Sequence, residues 1–305
     1  MPVDEGYRKQ VALLVRTVPR VAPETCFALK GGTAINLFLR NMPRLSVDLD
    51  LTYVPVSDRA SSLKEIAAAM KRIAEAITRG LPGARVSASA PKGVKGVTKL
   101  IVRDDDAQIK IEVTPVLRGC VYEPAVMPVS ARVEEEFGFA EMPVVSFADL
   151  YAGKIVAALD RQHPRDLFDI RDLLSHEGIL RKAFIVYLLS HHRPMAEVLV
   201  PARLDISAEY KRGFEGMVDA PVTLEDLLQA RESLITEIVG KMPEQHCRFL
   251  ISVKRGEPDW ALLDLPGAKD LPAVRWKLEN LAKLSADKRV QLLIGLSEAL
   301  GMQDS

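Results

Sequence analysis

Residues 28–52 read Ala-Leu-Lys-Gly-Gly-Thr-Ala-Ile-Asn-Leu-Phe-Leu-Arg-Asn-Met-Pro-Arg-Leu-Ser-Val-Asp-Leu-Asp-Leu-Thr. A Gly-Gly-Thr turn (Gly31, Gly32, Thr33) separates an apolar run from a helical pattern, and Asp48-Leu49-Asp50 follows fifteen residues after Thr33. Val47, Leu49 and Leu51 alternate with the two acids, which predicts a strand. Alternate side chains of a strand share a face, so Asp48 and Asp50 point one way and the apolar residues point into a core. Two carboxylates about 6–7 Å apart on one strand face repel each other when partly desolvated. A divalent cation relieves that repulsion, and hard oxygen ligands suit Mg²⁺ or Mn²⁺. A Gly-Gly-Thr turn at a helix start offers backbone N–H groups and a hydroxyl to phosphate. Together these features imply a site for a nucleoside triphosphate and its metal.

Outward from this stretch, residues 4–18 show helical spacing through Val11, Leu14, Val15 and Val18. A short strand is expected over 25–29, a helix from Thr33 to about Arg40 ended by Pro43, and the acid-bearing strand over 46–54. Residues 57–79 read as a long helix with Ser57 at its start and Gly80-Leu81-Pro82-Gly83 after it. Alternation predicts strands over 84–90, 97–102 and 108–116, with Ile109, Ile111 and Val113 on one face of the last. The stretch 118–145, rich in Pro, Val and Glu, reads as irregular. From Ser146 the pattern is helical, with helices expected over 147–161, 164–176, 181–192, 223–240, 243–253, 270–283 and 285–301. The fold class is therefore α+β, a small mixed sheet with helices over 1–145 and a helical domain over 146–305.

Composition excludes several classes. The chain of 305 residues has 48% hydrophobic and 27% charged residues, and its 41 basic and 41 acidic side chains cancel. No global field draws it to nucleic acid or to an anionic membrane, so any such affinity is local. Pro91 to Lys99, with Arg40 and Arg44, form a candidate basic patch, or simply solvated charge. Cys26, Cys120 and Cys247 are widely spaced and fit no disulfide or zinc pattern, which predicts a reducing, cytoplasmic setting. No signal peptide and no apolar run of membrane-spanning length is evident.

Further candidate residues lie in two places. Glu112, within Ile109-Lys110-Ile111-Glu112-Val113, shares a strand face with Lys110 and Thr114. That face is either plainly solvated or supplies a third carboxylate for two-metal phosphoryl chemistry. Ser46 shares the face of Asp48 and Asp50, where its hydroxyl bonds a phosphate or merely starts the strand. In the second place, Lys154 stands among Ala152, Ile155, Ala157 and Ala158. A lysine near a core needs an anion, and phosphate suits it; the alternative is a lysine that snorkels to solvent. Arg161 shares its face, and Pro164 places Arg165, Asp166 and Asp169 in the first turns of a helix. Asp166 is expected to face the site, with Asp169 and the arginines bracing it. No G-x-S-x-G elbow supports a Ser-His-Asp hydrolase.

These residues resemble the AbiEii/AbiGii toxin group of minimal nucleotidyltransferases, which includes the mycobacterial Men-type toxins. The match lies in Leu29-Lys30-Gly31-Gly32-Thr33-Ala34 with Ser46-Val47-Asp48-Leu49-Asp50. It continues in Asp149-Leu150-Tyr151-Ala152-Gly153-Lys154 with Arg161 and Arg165-Asp166-Leu167-Phe168-Asp169. The resemblance implies a polymerase-β-type nucleotidyltransferase fold with an appended helical domain that contributes Lys154 and Asp166. By motif position Asp48 and Asp50 match the metal-binding acids and Ser46 the serine beside them. Lys154 matches the triphosphate-contacting lysine, and Asp166 the later site aspartate. Thr33 stands where the broader superfamily often has Ser, which keeps the hydroxyl. It also implies a cognate antitoxin, NTP as donor, and transfer to the 3′ end of tRNA. A non-catalytic NTP-binding module and nucleotidylation of a protein hydroxyl are the competing expectations.

Overall fold

The computed structural model describes residues 4–90, 96–176 and 181–302. The chain packs as two compact units, Met1–Leu150 with Phe214–Pro221, and Tyr151–Gly213 with Val222–Ser305. The division between units follows Leu150, within a helix, and the short segment Phe214–Pro221 rejoins the first unit, which no pattern in the sequence announces.

The described residues of the first unit form a seven-stranded mixed sheet. Its strands are β1 (Phe27–Lys30), β2 (Asp48–Tyr53), β3 (Arg85–Ser89), β4 (Lys99–Arg103), β5 (Gln108–Arg118), β6 (Ala125–Pro128) and β7 (Glu141–Val144). Their spatial order is β3-β4-β5-β2-β1-β7-β6. The central β2 runs antiparallel to β1 and parallel to β5. One face carries Leu49, Leu51, Leu100, Val102, Ile109, Ile111 and Val113, all fully buried. Helices α1 (Glu5–Val21) and α3 (Arg59–Gly80) pack against this sheet through Val11, Leu14, Val15, Val18, Ile66, Met70, Ile73 and Ile77. Burying each such side chain stabilises the fold by about 1.5–3 kcal/mol, and the alternation leaves the other face of β2 and β5 to polar residues.

Several element ends differ from the pattern for identifiable reasons. Helix α1 continues past Val18 because Pro19 lies in its last turn, where the ring removes a single backbone bond. Asp58, not Ser57, caps α3, its carboxylate accepting the N–H groups of Ala60 and Ser61. Helix α2 (Gly31–Thr33) starts directly after β1 and runs into a π-helical segment, Ala34–Leu39. The stretch expected to be irregular instead holds β6, α4 (Ala131–Phe137) and β7. Its strands have four residues each and contain Pro128 and Pro143, too short and too interrupted to show alternation. The segment Phe214–Pro221 clasps this unit: Gly216 and Met217 carbonyls accept from Asp4 and Leu45 N–H groups, Arg44 bridges Val218, and Arg132 pairs with Asp219.

Helix α5 (Phe147–Arg161) spans the division, and α6 (Pro164–His176) follows; both have the extent the sequence predicts. The second unit continues with α7 (Arg181–Ser190), α8 (Met195–Leu199), α9 (Ser207–Gly213) and α10 (Leu224–Ile235), which runs into the π-helical Thr236–Gly240. Then come α11 (Glu244–Arg255), α12 (Trp260–Leu263), α13 (Pro272–Ala282) and α14 (Ala286–Ala299). The short α8, α9 and α12 escape a periodicity reading because one or two turns hold too few apolar positions. Thr223 and Asp226 cap α10 reciprocally. Among the described residues, no helix is long and apolar enough to cross a membrane.

Candidate active site

The turn after β1 is built for close approach. Gly31 has φ +77°, and a Cβ there would stand 2.9 Å from Asp50 Oδ2. A Cβ on Gly32 would meet Arg44 Nη2 at 2.7 Å and Ser46 Oγ at 3.1 Å. The backbone therefore lies directly against the acidic strand, as only glycine allows. Thr33 is 1% exposed. Its hydroxyl hydrogen-bonds the Asp48 carbonyl and lies 2.9 Å from Ser46 Oγ. The hydroxyl expected to meet phosphate thus ties the turn to β2, and Ser46, also buried, is its partner. Gly31→Ala should lose about 1–2 kcal/mol of stability through the left-handed backbone. Its transfer activity should fall further than that loss explains, because the methyl group pushes Asp50 aside; paired melting and transfer assays check this.

Strand register gathers the acids. Asp50 stands opposite Lys30 on β1 and Glu112 on β5, and Asp48 stands opposite Lys110. Glu112, open to two readings in the sequence, is therefore the cross-strand neighbour of Asp50. Asp48 and Glu112 side chains keep 38% and 37% exposure, so this face meets solvent. Lys110 Nζ lies 3.0 Å from Glu112 Oε2 and 3.9 Å from Asp48 Oδ2. Burial works against the Lys110 charge, but Asp48 and the Glu112 hydrogen bond outweigh it and raise its pKa. Lys30 bonds Thr114 Oγ1 at 3.3 Å; burial lowers its pKa, opposed by Asp50, Cys120 and Glu112. Among the described residues, no group of three His, Cys, Asp or Glu side chains is gathered tightly enough to hold an ion unaided. Mg²⁺ is commonly held by one or two carboxylates together with substrate phosphates, and this donor set fits that mode.

Arg44 departs from the expected surface patch. It is 3% exposed, beneath Gly32, with Nη1 donating to the Leu45 carbonyl. Of the rest of that patch, residues 91–95 lie outside the described residues, Lys99 stands on β4 opposite Glu112, and Arg40 ends the π-helical segment. Burial pushes the Cys26 thiol up to about 11 and the Cys120 thiol up to about 12, consistent with inert cysteines. Asp149, in the first turn of α5, accepts the N–H groups of Val121 and Tyr122 and the Ser146 hydroxyl, pinning the chain after β5.

The second unit contains the other cluster. Lys154 is 6% exposed, and its Nζ lies 2.7 Å from Asp166 Oδ1 and 3.0 Å from Asp169 Oδ2. Arg161 Nε donates to Asp166 Oδ2 at 2.6 Å. Burial favours the neutral acid at Asp166, but Lys154 and Arg161 outweigh it and hold the carboxyl well below the usual range. Asp166, expected to face the site with Asp169 and the arginines bracing it, contacts the Lys154 ammonium together with Asp169. Arg165 gives its backbone N–H to His163 Nδ1. Lys30, Lys110 and Arg44 are the residues the sequence reading passed over as site components. Only the neighbouring of β1, β2 and β5 reveals them.

A mixed sheet whose central strand carries two aspartates beside a glycine turn is the arrangement expected of a nucleotidyltransferase, and the family comparison shows that class. Residues 12–280 match the family described as nucleotidyl transferase AbiEii toxin, type IV TA system, and the chain belongs to that family. Among solved structures it is similar to MenT4, nucleotidyltransferase toxin Rv2826c from Mycobacterium tuberculosis H37Rv. The identity is 18%, the coverage 90% of this chain and 93% of that one, and the TM-score 0.59, a likeness of fold. No curated protein sequence matches the chain. Membership in a toxin–antitoxin family implies an NTP substrate and an antitoxin partner.

Proposed function

We propose that this chain transfers a nucleoside monophosphate from an NTP to the 3′ end of tRNA, releasing pyrophosphate, with Mg²⁺ or Mn²⁺ at Asp48, Asp50 and Glu112. The observation that supports this reading is the strand register that puts those three acids on one sheet face, with the Gly31 backbone against Asp50. A divalent ion bound there would supply charge neutralisation for the phosphates and activation of the acceptor hydroxyl. Asp48 and Asp50 are the direct ligands in this reading, and Glu112 the third acid. Gly31 and Gly32 N–H groups serve the phosphate oxygens, while Thr33 and Ser46 hold the turn in register. By the family resemblance Lys154 is the ammonium that answers to phosphate, with Asp166 and Asp169 as its close carboxylates and Arg161 and Arg165 as neighbouring cations. The tRNA acceptor, a role in phage defence and a cytoplasmic setting rest on the family resemblance.

Incubating the purified chain with each labelled NTP, Mg²⁺, and either total RNA or protein extract tests the proposal. Label should appear on tRNA and be removed by exonuclease trimming of its 3′ end. Label on protein alone would replace the acceptor, and NTP binding without any labelled product would defeat the catalytic reading.

A further inference from the structure

The acidic face already holds a cation of the protein's own. Lys110 stands on β5 opposite Asp48, two residues from Glu112, and its Nζ lies 3.0 Å from Glu112 Oε2 and 3.9 Å from Asp48 Oδ2. A lysine on an open sheet face ordinarily extends its ammonium into water. This one is instead drawn between two carboxylates of the proposed ion site. Lys30, opposite Asp50 on β1, bonds Thr114 Oγ1, and Lys99 on β4 stands opposite Glu112, so Lys110 is the lysine with close contacts to both Asp48 and Glu112.

We infer that Lys110 is a resident counter-cation that joins Asp48 to Glu112 until a divalent ion displaces it. This rests on the metal-dependent reading above and adds an order of events to it. Like charges a few ångströms apart repel strongly at protein dielectric, so a free ion competes with the ammonium and binds weakly. An ion that arrives with a triphosphate brings its own anions, to which the displaced ammonium turns. The site therefore takes its metal as the nucleotide complex rather than before it.

Mn²⁺ titration of the full chain without nucleotide, with free Mn²⁺ read by electron paramagnetic resonance, tests this apart from catalysis. Lys110→Met should tighten Mn²⁺ binding by about tenfold or more. Lys110→Gln should do the same, and Lys110→Arg should stay near the wild-type value. Unchanged or weaker binding in both neutral variants overturns the inference. Asp50→Asn distinguishes the two levels. If it binds Mn²⁺ as the wild type does, the ion site itself is wrong. If it loses Mn²⁺ while the neutral Lys110 variants show no gain, the counter-cation alone fails.

Discussion

Asp48→Asn should lower transfer of labelled nucleotide by about a thousandfold, the loss expected if its charge acts on the transition state as proposed, while the protein stays folded. The side chain keeps 38% exposure on the polar face, so no core contact is lost. Leu49 and Leu51, which anchor β2, point the other way and remain fully buried. Asparagine keeps the shape but not the charge, leaving Lys110 with Glu112 as its remaining close carboxylate. A melting temperature near that of the wild type, measured beside the transfer assay, separates lost chemistry from lost structure. Full transfer in Asp48→Asn would remove this face from the reaction.

The largest effect on stability is expected at Asp166. With 2% exposure it accepts from both Lys154 and Arg161, and Asp166→Asn leaves Lys154 with Asp169 as its remaining close carboxylate. Breaking a buried pair from one side costs about 3–5 kcal/mol. For a unit of this size that lowers the melting temperature by about 10 °C. The pH dependence carries the sign. The folded Asp166 pKa is depressed, so its stabilisation is present above the unfolded value of about 3.9 and is lost as pH falls through the folded value. The gap between wild type and Asp166→Asn should therefore hold constant from neutral pH to about pH 5 and narrow only below about pH 4. A gap under about 1 kcal/mol at neutral pH would show that the cluster is no more than a surface ion pair.

Much of this was legible before any coordinates. Asp48 and Asp50 declare a shared face because strand alternation is strict, and the Gly-Gly turn declares a close approach because little else permits one. Helices α5 and α6 show their ends through Ser146 and Pro164, which act locally. What stayed hidden depends on pairing between distant segments. Glu112 could not be told from a solvated glutamate until β5 was placed beside β2, and Lys110 shares that history. Arg44 reads as surface charge in sequence, yet Gly32 lies over it. Asp166 could be placed in the first turn of its helix, but helix position says nothing of the lysine twelve residues earlier that it grips. Strands β6 and β7 are held by their neighbours rather than by their own residues.

The segment Phe214–Pro221 has a consequence for how this protein tolerates shortening. Its eight residues close over the strand entrance at Arg44 and Leu45, and thus steady the neighbourhood of Gly32 from a point far along the chain. A premature stop after Leu150 would keep all seven strands yet strip away the latch that secures the arginine under the nucleotide turn. The sheet unit thus draws part of its packing from residues that are synthesised well after its last strand.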